Sequence, residues 1–299
     1  MQSSLRLACV LCCVGSASAL VVARAPAHVH TLHGVHATRQ VHATRRVQVA
    51  MVGSAVAARV VQGATQGAVG AVVAAGLSAF TEPVVNRILV KRISVRQSIK
   101  ELDVAKSQEF FLTTLPTNFL KFPLFEAVNA AMTVVLLPDS VKGAITGLCF
   151  TTATLPVTNY RFCKSMELPV NTEALFKAYL PTVMRDVIYG IARNKLSTAL
   201  RLAFPLFAAS VVGRPALLFP VVFGACLLSS PGNELRGFFL QPKEQRKSFQ
   251  DFFQLKNYLR STLAGGLIMA ISLTTGSAIT GPLQTALASA RALVSPLPA

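Results

Sequence analysis

Arg185 and Asp186 stand side by side, four and five residues after Pro181, in an otherwise apolar stretch that begins Tyr179-Leu180-Pro181-Thr182-Val183-Met184. A soluble core rarely keeps such a pair. A membrane helix keeps it only where it faces water, a ligand or a partner, so an ionisable residue there marks a functional site by default. Two segments are related. Leu115-Pro116-Thr117 is followed by Lys121, five after its proline, and by Pro123. Leu255-Lys256-Asn257-Tyr258-Leu259-Arg260 carries an arginine four after a slot where the proline is replaced by Lys256. Cations in a low-dielectric site attract anions, and an arginine can fork onto a carboxylate or phosphate with two parallel hydrogen bonds. The chemistry is anion binding, not bond-making. There is no Ser-His-Asp set, HExxH, P-loop or paired carboxylate, and every histidine precedes residue 43. No enzyme activity and no cofactor are expected. The plainer alternative is that Arg185 and Asp186 pair with other helices to fix packing, and that Lys121 snorkels to an interface.

The elements that must position these residues are apolar. The chain of 299 residues is 52% hydrophobic with mean hydropathy +0.52, too apolar for an ordinary soluble domain. Only 14% of residues are charged, yet the net charge is +17. That combination fits a membrane protein with basic loops. With no tryptophan and no basic-aromatic stripe, nucleic acid is not an expected partner. Membrane lipid and a small anion are expected, with the chain a monomer. Cys149, Cys163 and Cys226 are widely spaced, with no C-x-x-C among them, and give no metal set.

Six apolar spans follow one another: 63–90, 109–137, 141–161, 178–205, 211–230 and 254–275. Each is about the 20 residues that a bilayer core requires, or somewhat longer. Gly63 and Gly67 have the spacing that lets helices approach closely. Prolines recur at 83, 156 and 231, intervals of 73 and 75 residues, and the even-span slots 116, 181 and 256 recur at 65 and 75. A fixed recurrence of one helical unit predicts a repeat architecture: repeat 1 over 63–137, repeat 2 over 141–205, repeat 3 over 211–275. The fold class expected is an all-α membrane protein of six transmembrane helices around a central cavity. Long basic linkers separate the spans of each pair, which places them on one side. Arg201 and Arg214, in the short connection between repeats, weaken that asymmetry. Residues 276–299 form a weakly apolar tail.

Ahead of the body lies a leader. Residues 1–20 hold Arg6, an apolar run and Ala17-Ser18-Ala19, the form of a signal peptide. Residues 21–50 hold all five histidines, four arginines and no acid, the composition of a transit peptide. The two in series resemble the bipartite leaders of algae with complex plastids. An organelle envelope is the expected location, that of such a plastid first, with the mitochondrial inner membrane as the alternative.

Three tandem helix pairs, each odd span ending at a proline with an arginine close behind, resemble the mitochondrial carrier family over residues 63–275. That family ends its odd helices P-x-[DE]-x-x-[KR]. Pro156 with Arg161 and Pro231 with Arg236 keep the proline and base at the family spacing, while Arg87 comes one residue early after Pro83. The acidic position holds Val85, Thr158 and Asn233. The standard salt bridges on that side cannot form, and Asn86, Asn159, Asn233 and Glu234 are the candidates to replace them. The opposite network, on the even helices, is hard to find in the sequence. The resemblance implies kinks and gates at Pro83, Pro156, Pro231, Arg87, Arg161 and Arg236. It places substrate contacts at Lys121, Arg185, Asp186 and Arg260, and implies alternating-access transport of a small anion, a carboxylate or keto acid before a nucleotide or phosphate. The missing acids leave a second expectation, a carrier-shaped scaffold or assembly protein that does not transport.

Overall fold

The computed structural model describes residues 35–91, 95–100, 104–165, 169–241 and 248–294, with side chains described from Gly53 onward in the first helix. The described residues are helical, with no strand. In chain order the helices are α1 (Val35–Lys91), α2 (Val95–Lys100), α3 (Val104–Met132), α4 (Asp139–Ser165), α5 (Thr172–Phe176), α6 (Tyr179–Ala203), α7 (Pro205–Ala209), α8 (Gly213–Leu240), α9 (Phe249–Phe252) and α10 (Leu255–Val294). The leader up to residue 34 lies outside the described residues.

Six of these helices are long, and they close a ring. Each packs on the next long helix in the chain: α1 on α3, α3 on α4, α4 on α6, α6 on α8, α8 on α10, and α10 back on α1. Glycines set the closeness of several contacts. A Cβ at Gly67 would lie 2.6 Å from Cα of Pro123 on α3, and one at Gly147 would lie 2.5 Å from the carbonyl carbon of Asp186 on α6. Only a residue without a Cβ lets the two backbones touch there.

Polar and apolar side chains share the interior, where Ala71, Phe122, Val222, Ala270 and Leu273 form an apolar cluster. Thr114, Thr146, Thr151, Asn159, Thr182, Ser230 and Ser272 are fully buried, while Phe80, Leu112, Leu120, Leu180 and Leu228 are exposed on the outer surface. Several buried hydroxyls are satisfied within their own helix: Thr146 donates to the Lys142 carbonyl, Thr154 to that of Phe150 and Ser272 to that of Ile268. Such back-bonding lets a hydroxyl sit inside without a partner from another helix. Among the described residues, three helical segments are long and apolar enough to cross a membrane, by length and composition: Gly53–Thr81, Gly213–Leu240 and Tyr258–Ser289.

One detail differs from the sequence expectation, and the prolines take several places. The tail does not break from the last span: α10 runs through Pro282 to Val294. Pro181 lies in the first turn of α6, where a missing N–H leaves no intrahelical bond unmade. It starts the helix, near the beginning of the expected span 178–205. Pro116, Pro123, Pro156 and Pro231 do lie inside helices. Pro83 and Arg87 fall within α1, and their side chains lie outside the described ones.

Candidate functional site

The ring encloses two adjoining chambers. The first, of about 220 Å³, includes Lys121, Phe125, Arg185, Asp186, Tyr189, Cys226 and Ser261 in its wall. The second, of about 240 Å³, shares Lys121, Phe122 and Ser261 with it and adds Ser78, Asn118 and Arg161. Together they touch all six long helices.

Packing places the charged side chains. Gly147 lets α4 press on α6 at Asp186, and Thr151, one turn further along α4, donates to Asp186 Oδ2 at 2.6 Å. Arg185 Nε donates to the other oxygen at 2.6 Å, and its Nη1 to Asn233 Oδ1 at 3.1 Å. The Asp186 charge is thus matched by its neighbour. Lys121 makes no hydrogen bond or ion pair with any described residue and faces both chambers. It is half-buried and shares the first chamber with Asp186, whose charge Arg185 already takes, so a protonated Lys121 leaves that chamber net positive, the arrangement that draws in an anion.

Three of the four contact residues expected from the sequence therefore meet at one cavity: Lys121, Arg185 and Asp186. Arg260 does not. It is exposed and lines none of these cavities, while Ser261 lines both chambers. The reason is register. One residue is a turn of about 100° on a helix, so Ser261, not Arg260, points inward from α10.

At the end of the ring where α5 and α9 sit, arginines bond to amides. Arg161 donates to Asn118 Oδ1 at 3.1 Å and lies over the Phe110 ring at 5.6 Å. Arg236 donates to Asn159 Oδ1 at 2.8 Å. The Asn159 amide in turn donates to the carbonyls of Leu175 and Lys177, at 3.0 and 2.8 Å. Lys177 then reaches across to the Leu240 and Gln241 carbonyls at the end of α8. Ala178 follows with φ 55°, a left-handed conformation that a non-glycine residue adopts at a cost. The bonds from Asn159 hold the carbonyls just before it. Of the residues expected to replace missing acids, Asn159 and Asn233 accept from arginines, the Glu234 carboxylate accepts from Ser261 at 3.4 Å, and Asn86 lies outside the described side chains. Pro156 and Pro231 line none of these chambers.

The spacing of residues did not reveal an ion pair on the even helices, and the structure contains one. Arg193 on α6 forks onto Glu126 on α3 with bonds of 2.7 and 2.8 Å, and both side chains are only 5% exposed. The guanidinium lies 5.1 Å from the Phe125 ring centre, and Phe125 and Tyr189 meet edge to face. Glu126 lines both the first chamber and a third cavity beyond it, so the pair stands between the two. The available signal was no more than an acid on α3, after Phe125, and a base on α6, after Ala192.

Compared with protein-family models, with curated proteins and with solved structures, the chain matches none.

Proposed function

We propose that the chain is a transmembrane transporter of a small anionic metabolite, a divergent relative of the mitochondrial carriers, that works by alternating access. The observation that carries this reading is Lys121, without a hydrogen bond or ion pair to any described residue, in a cavity of mixed polar and apolar lining walled by six helices. A scaffold has no need of such a cavity, and burying a cation without a partner is costly unless a ligand repays it. The apolar outer surface supports six spans in three helix pairs, the charged helices α3, α4 and α6 being carried in lipid because their polar groups face inward. A carboxylate or keto acid suits the site better than a nucleotide, because the two inner chambers are small. The carrier-like arrangement also supports a cycle. The Glu126–Arg193 pair closes the cavity on one side, and the arginine–amide bonds tie the helices on the other. Substrate favours whichever state it binds better.

The test is exchange in liposomes against a panel of carboxylates, phosphate and nucleotides. Saturable uptake of a carboxylate, lost in Lys121→Ala and Arg185→Ala, is expected. Absence of exchange with every compound would refute transport and leave the scaffold reading. For location, fusing residues 1–60 to a fluorescent protein separates a plastid destination from a mitochondrial one.

A further inference from the structure

The third cavity has no part in the substrate site proposed above. It measures about 510 Å³ and lies at the end of the ring where short connections join α3 to α4 and α6 to α8. It is lined from α1, α3, α6, α8 and α10. Its charged residues are Arg59, Arg193, Arg201 and Arg214 against one carboxylate, Glu126, which Arg193 already takes with both nitrogens. Three guanidiniums thus share one space with no lining acid to match them. The described contacts of two are neutral: Arg59 donates to the Thr133 hydroxyl and Arg214 to the Ala208 carbonyl. The amides of Gln62, Gln66, Asn129 and Asn194 add donors to the same wall.

Arg201 and Arg214 flank a connection that is otherwise apolar and exposed, with Leu206 and Val211 at 87% and 86%. Neither is explained by loop polarity or by orientation in a membrane. Facing one cavity gives them a common purpose. Like charges held together repel, and an anion that brings them several negative oxygens relieves that repulsion.

We propose that this cavity is a second anion site, an antechamber for a soluble anion bearing two or more negative charges on clustered oxygens, as in a phosphate ester or a di- or tricarboxylate. Multivalency follows from the three unmatched cations. A soluble ligand follows from the cavity's place at the end of the ring, lined from five helices, with Arg59, Arg201 and Arg214 exposed to solvent. The site is separated from Lys121 by the Glu126–Arg193 pair, so its occupancy does not depend on transport.

The test uses the full chain in neutral detergent at low salt, titrated calorimetrically with inorganic pyrophosphate. Saturable binding is expected and should persist in Lys121→Gln. The double variant Arg201→Gln/Arg214→Gln, both exposed positions, should keep its thermal transition and bind roughly tenfold or more weakly, because each charge within ~8 Å at an effective dielectric near 20 is worth more than tenfold before screening. Glu126→Gln frees Arg193 and should tighten binding. No binding to the wild type overturns the proposal, and so does loss in Lys121→Gln with no change in the double variant, or weakening by Glu126→Gln. A last arm compares nanodiscs of phosphatidylcholine with and without phosphatidylglycerol. Equal pyrophosphate affinity is expected. Abolition by the anionic lipid would make the site a headgroup site and overturn the soluble-ligand assignment.

Discussion

The Glu126–Arg193 pair gives the sharpest stability test. Glu126→Gln leaves a buried guanidinium facing an amide, and Arg193→Gln leaves a buried carboxylate facing one. Removing one partner of a buried pair costs about 3–5 kcal/mol, because the other charge stays behind without compensation. Both side chains are 5% exposed and joined by two short bonds, so solvent screening gives little discount. Both residues line the third cavity, and Glu126 the first chamber as well, so neither stranded charge has the better access to water and the two losses should be similar. At about 2–4 °C per kcal/mol for a chain of this size, the transition in detergent should fall by roughly 6–20 °C. The double variant Glu126→Gln/Arg193→Gln carries neither charge, and its two amides can bond to each other. It should be more stable than Arg193→Gln and fall well short of the summed losses, with a coupling of about 1–3 kcal/mol. Thermal unfolding followed by tryptophan-free methods, such as thiol labelling of buried Cys163, reads this directly. Losses that simply add would show that the two residues do not meet, and the partition between the cavities would go with them.

Other consequences can be checked in the same preparations. Gly147→Val should cost about 1–3 kcal/mol or prevent folding, since its Cβ would press on the Asp186 backbone in a contact with little room to relax; expression yield and thermal stability report it. Asn159→Ala removes an acceptor from Arg236 and a donor from two carbonyls, and should destabilise by about 2–4 kcal/mol, given ~1–3 for each buried group left unmatched. Arg260→Ala should leave uptake within about twofold of wild type, the effect of an exposed substitution away from special contacts being small. A collapse of uptake there would restore the inward orientation expected from the sequence.

Much of the architecture was legible because it depends on where apolar runs start and stop. The six long helices fall on the six apolar runs, and Lys121, Arg185 and Asp186 were visible as charges in places that would otherwise be costly. The side on which a residue faces was harder to read. Arg260 and Ser261 differ by one position, and nothing in the local pattern chooses between them once the proline slot holds Lys256. Glu126 and Arg193 lie 67 residues apart, and no spacing rule links two charges that only the closing of the ring brings together. Asn159 was legible as a possible substitute for an acid, yet its amide bonds to 175 and 177 depend on a turn with a left-handed alanine that propensity does not favour.

The arginine–amide contacts at Asn118, Asn159 and Asn233 have a consequence for how the fold responds to pH. A side-chain amide has no proton to gain or lose under physiological conditions. Fasteners built from it hold equally well whether the fluid beside them is acidic or alkaline. Any response to pH must come from other groups, such as Asp186 and Lys121 in the chambers, Glu234, or the Glu126 carboxylate toward the opposite end.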